Sequence, residues 1–391
     1  MIEIRTPVED DFGPLTDFDA RTFGSGAYSA EDREVTRPTM DLDRYRLAFE
    51  DGAIVGAAGS DPFEMTLPGL TTIPMAGVTW VAVAVTHRRQ GLLRRLMGVV
   101  HEDIADRGEP VACLTASEGS IYERFGYGVA TRRRVVEIDR RRSAIAERFR
   151  PPAGSVRLPG AGAGEAVDQR WDTYRRGRAG ELSRSPAWQT KMRFLHGADA
   201  VTAVHDDGFA TWKVTSAWNE GHPAHSVRVL DFAAATPAAH AALWHTLLSV
   251  DLVGTITSSL HPIDDPLPYL LDDFRMLRTT AINDGVWCKP MDMAACFGAR
   301  RYGTDDSIVL EVDGERWQID GNADEARCRH KVRRRADLIT DQAGAGALLL
   351  GGVPPSQLVA GRRAQVRDEA ARRRADAFFA TSPLPHSTTA F

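Results

Sequence analysis

Residues 87–97 read HRRQGLLRRLM. Four arginines (Arg88, Arg89, Arg94 and Arg95) surround Gly91, directly after the apolar run WVAVAV and at the start of a helical pattern. A helix N-terminus leaves about four backbone N–H groups without an intrahelical partner, and its dipole favours an anion there. A glycine at that point lets the backbone approach a diphosphate closely. These residue types at this spacing suit a phosphate-binding turn; the alternative is a solvated helix face. The pattern is neither GxGxxG nor a Walker turn ending in GK[ST], which disfavours NAD or ATP held in those ways. Other chemistries find less support. The histidines are not clustered in a way that suggests a Ser–His–Asp triad. Cys113, Cys288, Cys296 and Cys328 form no CxxC pair and no zinc spacing, so no metal is expected.

The elements that must hold this turn can be read around it. TIPMAGVTWVAVAVT is a long strand of little polarity, which suggests a central position covered on both faces. Leu92, Leu93, Leu96, Val99, Val100 and Ile104 then fall at helical spacing, with Gly108 placed to end the helix. Upstream, MIEIRTPV reads as a strand and EDDFGPLTDFDARTF as a helix, acidic in its first turn. Two apolar runs flank Asp51-Gly52, a hairpin pair. Downstream, PVACLTASE is a buried strand and SIYERFGYG a short helix. The first ~145 residues thus form a mixed α/β layer. RFRPPAGSVRLPGAGAGEAV, residues 148–167, is rich in proline and glycine and reads as a linker.

SVRVLDFAAATPAAHAALWHTLLSV can be laid beside VTWVAVAVTHRRQGLLRRLMGVV as a repeat of roughly 150 residues. Thr236-Pro237 stands where the first copy has its arginines and glycine. Chance likeness of two strand–helix units is the alternative. After NDGVWCKPMDMAACFGAR the pattern changes. A hairpin around Asp313-Gly314 opens a smaller α+β segment, and the closing TSPLPHSTTAF, without periodicity, reads as a frayed tail.

Composition narrows the class. The chain has 391 residues, 43% hydrophobic and 26% charged, which implies a soluble globular protein of roughly two to three domains. Its net charge of −5 argues against a nucleic-acid footprint. The basic run TRRRVVEIDRRR has acidic neighbours and no stacking aromatics, and is read as solvated sheet-edge or interface arginines. The N-terminus is charged from its third residue, unlike a signal peptide, and no apolar run is long enough to span a membrane. A cytoplasmic protein with reduced thiols is expected. Lysine is scarce: Lys191, Lys213, Lys289 and Lys331 are all of it.

The turn, written [QR]-x-x-G-x-[GA] in the GNAT superfamily of acyl-CoA-dependent N-acetyltransferases, reads here Arg88-Arg89-Gln90-Gly91-Leu92-Leu93, with Leu93 where a small residue is usual. With WVAVAVTHRRQGLLRRLM, ASEGSIYERFGYG and a C-terminal phenylalanine after a polar tail, the chain resembles the Eis (enhanced intracellular survival) family. The resemblance implies tandem GNAT domains of α/β and α+β class, the second degenerate, and a C-terminal sterol-carrier-like domain. Laid on this chain, these are residues 1–148, 149–287 and 288–391, and the family assembles as hexamers. It implies acetyl-CoA as co-substrate, with Val81, Ala82 and Val83 offering backbone groups to the pantetheine arm. Arg89, Gln90, Gly91, Leu92, Leu93 and Arg94 would hold the pyrophosphate, and Ser117 and Glu118 would lie where the acyl-CoA enters. Tyr122 matches the family's general acid and the carboxylate of Phe391 its general base. The implied acceptors are primary amines of cationic molecules: aminoglycosides at one or several positions, or protein lysines.

A tyrosine hydroxyl within reach of the sulfur can protonate the leaving thiolate. An α-carboxylate, with a reference pKa of about 3.3–3.7, is a weak base that still attracts a cationic amine. Trp80 is the candidate on the substrate side, with core packing as its alternative. Packing is also the alternative for Tyr122. The loop RTFGSGAYSAEDREVTRP is expected to border the substrate cleft. The rival from another class is an apolar-ligand carrier of sterol-carrier type with a vestigial GNAT domain.

Overall fold

The computed structural model describes residues 1–160 and 163–391. β1 (Glu3–Arg5) leads into α1 (Phe12–Phe23) and α2 (Ala30–Thr36). Then follow β2 (Tyr45–Glu50), β3 (Ala53–Thr66), β4 (Thr72–Val83), α3 (Leu92–Asp106), β5 (Val111–Thr115), β6 (Gly128–Val129) and β7 (Arg132–Asp139). A second run holds α4 (Ala163–Arg176), α5 (Pro186–His196), β8 (Val201–His205) and β9 (Gly208–Thr215). The small hairpin of β10 (Trp218–Asn219) and β11 (His222–Pro223) precedes β12 (His225–Ala234), α6 (Pro237–Leu248), β13 (Val253–Pro262), α7 (Leu267–Leu270) and β14 (Leu277–Asp284). The third run holds β15 (Val286–Pro290), α8 (Met293–Ala299), β16 (Asp306–Val312), β17 (Glu315–Gly321) and β18 (Ala326–His330). It closes with β19 (Leu338–Thr340), α9 (Gln342–Leu349), α10 (Pro355–Ala360), β20 (Ala364–Val366) and α11 (Glu369–Phe379). Among the described residues no helix is long and apolar enough to cross a membrane.

The strands form a seven-stranded sheet ordered β1-β2-β3-β4-β5-β15-β6, a six-stranded sheet ordered β14-β7-β13-β12-β9-β8 and a five-stranded sheet ordered β18-β17-β16-β19-β20. The first two exchange a strand. β15, which comes after the second sheet in the chain, inserts between β5 and β6, where Cys288 pairs with Cys113 on one side and Gly128 on the other. β7, which follows β6, crosses over to pair with β13 and β14. The divisions expected at 148/149 and 287/288 therefore do not separate the sheets. Residues 132–139 belong to the second sheet and residues 286–290 to the first. Alternation marks the face a residue takes, not the neighbour a strand pairs with. The expectation of sheet-edge arginines in TRRRVVEIDRRR is corrected for the same reason. β7 is paired on both sides, and Arg134 donates to the Pro262 carbonyl at 3.0 Å.

β4 is covered on both faces, as its composition implied. On one face α3 packs Leu92, Leu96, Met97, Val100 and Ile104 against Val78 and Ala76. On the other, Phe12, Leu15 and Phe18 of α1 meet Tyr45, Leu47, Ala57 and Ala82. Full burial of each large apolar side chain contributes roughly 1.5–3 kcal/mol, so β4 is held firmly between two layers. In the third region the Arg300 guanidinium is buried and donates to the carbonyls of Leu348, Leu349 and Phe379, satisfying the ends of α9 and α11.

The C-terminal tail is not frayed. Pro385 to Thr389 are buried, because the tail meets polar partners from the second region. The His386 N–H donates to the Ala179 carbonyl at 2.9 Å, and the His386 ring contacts the Leu260 carbonyl at 3.1 Å. The Leu384 N–H donates to Asp264 at 2.7 Å and the Thr388 N–H to Glu181 at 3.1 Å. Arg184 donates to the hydroxyls of Thr388 and Thr389, each at 3.1 Å. Arg184 is itself fixed by Asp231 at 2.6 Å and by the Trp171 ring 3.2 Å away. Residues 180–183 in turn pair with the end of β3: Thr66 N–H donates to the Glu181 carbonyl and Ser183 N–H to that of Glu64. The second region thus straps the tail onto the first sheet.

Candidate active site

β4 ends in a short 3-10 turn, Val85–His87, and α3 begins at Leu92. Between them Arg89 and Gly91 take left-handed backbone, with φ of +63° and +80°. His87 anchors the approach through Glu50 at 2.7 Å and Thr86 at 2.8 Å, which gives it a positioning place in the turn. Gly91 is the N-cap of α3 and no side chain caps it. The first helical bond is Arg95 N–H to the Gly91 carbonyl, so the amides of Gly91, Leu92, Leu93 and Arg94 point outward without a helical partner. A Cβ built on Gly91 meets nothing within 4 Å. Arg88, Arg89, Gln90, Arg94 and Arg95 are exposed around it, while Leu92 is buried and Leu93 half-buried. Open amides, a helix N-terminus and exposed cations in one place are what a diphosphate requires.

The turn stands at the mouth of a gap. β4 and β5 pair in parallel only from Met75–Val111 to Gly77–Cys113. β4 then runs on to Val83 bound to β3 alone, with a bulge between Ala57 and Gly59 and Trp80 at φ +54°. The backbone of Val81, Ala82 and Val83 therefore has its β5-facing side free, as an added extended chain would need. Ser117 and Glu118 are exposed in the loop that follows β5. Trp80 is half-buried, packed on the α1-side core and 6.1 Å from the Tyr28 ring.

Tyr122 and Phe391 flank this gap from opposite faces of the sheet. Tyr122 precedes a short 3-10 turn, Glu123–Phe125, and packs on the α3 side with Leu114, Val78 and Trp287. The Tyr127 ring meets it edge-on at 6.2 Å. Its hydroxyl makes no hydrogen bond among the described residues. Burial, with the Glu118 carboxylate, holds its pKa above the ordinary phenol value. On the other face the Phe391 ring lies over Gly77, where a Cβ would come within 2.8 Å of it, and sits 5.1 Å from the Phe63 ring. The Thr115 hydroxyl, at the last residue of β5, donates to the Phe391 terminal oxygen at 3.4 Å. The chain ends where the two strands part.

Several polar groups near the gap were not legible in the sequence. Asp61 accepts from Tyr45 at 2.6 Å and Asp19 from Tyr28 at 3.1 Å. Both are pushed up by burial, Asp61 to about 6. Glu181, under the tail, is pushed up to about 8 by burial. These residues lie far apart in the chain and carry no motif. The scarcity of lysine was the one signal that could have drawn attention to Lys191, whose ammonium acts on Asp61 and Asp19.

Comparison with known proteins agrees along the whole chain. Residues 3–130 match an acetyltransferase (GNAT) domain family and residues 180–291 match a second acetyltransferase (GNAT) domain family. The repeat noticed in the sequence is therefore a tandem pair of GNAT domains. An uncharacterized N-acetyltransferase of Streptomyces avermitilis is 33% identical, covering 98% of this chain and 99% of its own. The N-acetyltransferase Eis of Mycobacterium tuberculosis is 35% identical, covering 99% of this chain and 98% of its own. The crystal structure of Eis1 from Mycobacterium abscessus superposes with a TM-score of 0.88 at 30% identity, covering 100% of both chains.

Proposed function

The chain belongs to the Eis family of N-acetyltransferases, and from that premise we propose that it transfers acetyl from acetyl-CoA to a primary amine of a cationic acceptor. Aminoglycosides, at one or several amines, and protein lysine side chains are the acceptors we propose. The observation that carries the reading is the uncapped N-terminus of α3 at the mouth of the β4–β5 gap.

In this reading the amides from Gly91 to Arg94, with Arg89 and Gln90, hold the pyrophosphate. The free side of Val81 to Val83 receives the pantetheine arm, and Ser117 and Glu118 border its entry. The acceptor amine attacks the thioester carbonyl directly, with no covalent enzyme intermediate. As the C–N bond forms and the C–S bond breaks, Tyr122 gives its proton to the departing thiolate. Its raised pKa keeps that proton in place near neutrality. The Phe391 carboxylate draws the ammonium in and accepts its proton, directly or through a water. Trp80 forms part of the acceptor wall.

We also read the five-stranded sheet with α8, α9 and α11 as the family's sterol-carrier-like domain, and the working assembly as a hexamer. The carrier alternative is not favoured: the relatives that match the whole chain are N-acetyltransferases, and in this domain Tyr302 stacks 4.0 Å from Phe378. The test is incubation with acetyl-CoA and a panel of amines, aminoglycosides included, following free thiol and product mass. Thiol release matched by an acetyl mass increment on the acceptor is expected. Absence of both, with enzyme near micromolar, contradicts the proposal.

A further inference from the structure

The face of β3 and β4 opposite α3 carries charge that the turn and the gap do not use. Asp61 on β3 stands opposite Gly77 on β4. Phe63, two residues on and so on the same face, packs on Phe391. Asp61 therefore looks toward the side where the chain ends. Across the cleft α1 presents Asp19, bound by Tyr28, whose ring neighbours Trp80. α5, from the second region, packs against α2 and carries Lys191, half-buried. Its ammonium acts on both Asp61 and Asp19. Among the described residues it forms neither an ion pair nor a hydrogen bond. All three side chains are half-buried, and burial pushes Lys191 down and both carboxylates up. Arg44 and Asp41 are the other charges that act on Asp61, and Arg44 is already engaged by Glu109 at 2.7 Å.

An amine arrives as an ammonium ion, and the two carboxylates add to that of Phe391 as anions that can receive it on this face. A resident ammonium between them sets a limit on further positive charge. Resting on the acetyl-transfer reading, we propose that Lys191 determines acceptor specificity by excluding a second cationic group close to the reacting amine. An acceptor whose other ammonium groups lie far from the reacting one escapes the repulsion, and a hydroxyl or an acid beside the amine is tolerated. On a polycationic acceptor this selects which amine reacts. At an effective dielectric near 20, two like charges about 6 Å apart disfavour binding by well over tenfold, and screening reduces this to roughly tenfold.

The experiment measures kcat/KM by thiol release for propylamine, propane diamine and octane diamine, with the full-length chain and saturating acetyl-CoA. Lys191→Met is expected to raise the value for propane diamine by about tenfold relative to propylamine, with octane diamine changed by less than about threefold. Lys191→Arg, which keeps the charge, is expected to retain the discrimination, and Asp61→Asn to weaken all three amines. If Lys191→Met melts below assay temperature, Lys191→Gln is read in the same way. A common factor for all three amines, unity included, overturns the inference alone. Wild-type protein that releases no thiol with any of them overturns the transfer reading and this inference with it.

Discussion

Two strand–helix units in this chain share a plan and differ at one helix end. In the first, β4 leads to α3 through Gly91, an N-cap with no capping side chain and open space around it. In the second, β12 leads to α6 through Thr236. Its hydroxyl oxygen accepts from Ala239 N–H at 3.2 Å, and Pro237 has no N–H to offer. The Thr236 hydroxyl also donates to Asp207 at 3.1 Å, so a carboxylate stands where an anion would have to bind. The strand gaps differ too. Beyond the last β12–β13 pair, Val229–Ser258, the second gap is plugged by Phe232, Trp244 and His261, with ring centroids 5.3 and 5.7 Å apart. One fold has its amides open in one copy and closed in the other, which is why we propose the first as the reactive site and the second as its scaffold. The scaffold has its own work: residues 180–184 hold the tail, and α5 brings Lys191.

The largest effect tests that service. Arg184→Ala leaves Asp231 buried without its partner and frees Thr388 and Thr389. A loss of about 3–5 kcal/mol is expected, with release of the tail and collapse of transfer, read by thermal melting and thiol assay. Full activity in this variant would separate the second region from catalysis. Next, Tyr122→Phe is expected to lower kcat by about 10²-fold while acetyl-CoA affinity changes little. A tag extending the chain past Phe391, which moves the carboxylate, is expected to lower the rate in the same direction.

A pH effect of intermediate size follows from His386. Burial pushes it down to about 3 from an ordinary 6.5, so the folded chain keeps it neutral where an unfolded chain takes a proton. Its contribution to stability is present above pH 6.5 and is lost as pH falls toward 3, at about 1.4 kcal/mol per pH unit. Glu181, held up to about 8, works in the opposite sense. The two offset each other between about pH 6.5 and 4.5, so His386→Asn isolates the histidine: on acidification through that range carboxypeptidase trimming of the tail should change little in the wild type and fall in the variant, where Glu181 acts alone.

The smallest effects compare the two helix ends directly. Gly91→Val forces a β-branched residue into φ +80°, a strain of roughly 1–2 kcal/mol, and should weaken acetyl-CoA binding about tenfold by calorimetry. Thr236→Ala should cost about 1 kcal/mol of stability and leave acetyl-CoA binding unchanged. A gain of a second binding event in Thr236→Ala would mean that the cap alone had closed the second site.

What could be read from the sequence was local. The strand, the turn at Gly91 and the buried stripe of α3 follow from nearest-neighbour patterning, and so does the lost turn at Thr236-Pro237. The exchange of β7 and β15 was hidden because alternation does not name a partner. The tail carries no helix or strand period, and its burial depends on Arg184, Glu181 and Asp264, far away in the chain. Tyr122 stands out only through family resemblance, since a tyrosine among Phe125 and Tyr127 otherwise reads as packing. Asp19, Asp61 and Lys191 come from three separate elements, and only the fold brings them together.

A structure of the chain soaked with coenzyme A and an amine tests the central claim most directly. The account predicts the diphosphate on the amides of Gly91 to Arg94, with the sulfur in the gap between the Tyr122 hydroxyl and the Phe391 carboxylate. A nucleotide seated at α6, or a sulfur remote from both groups, would contradict it.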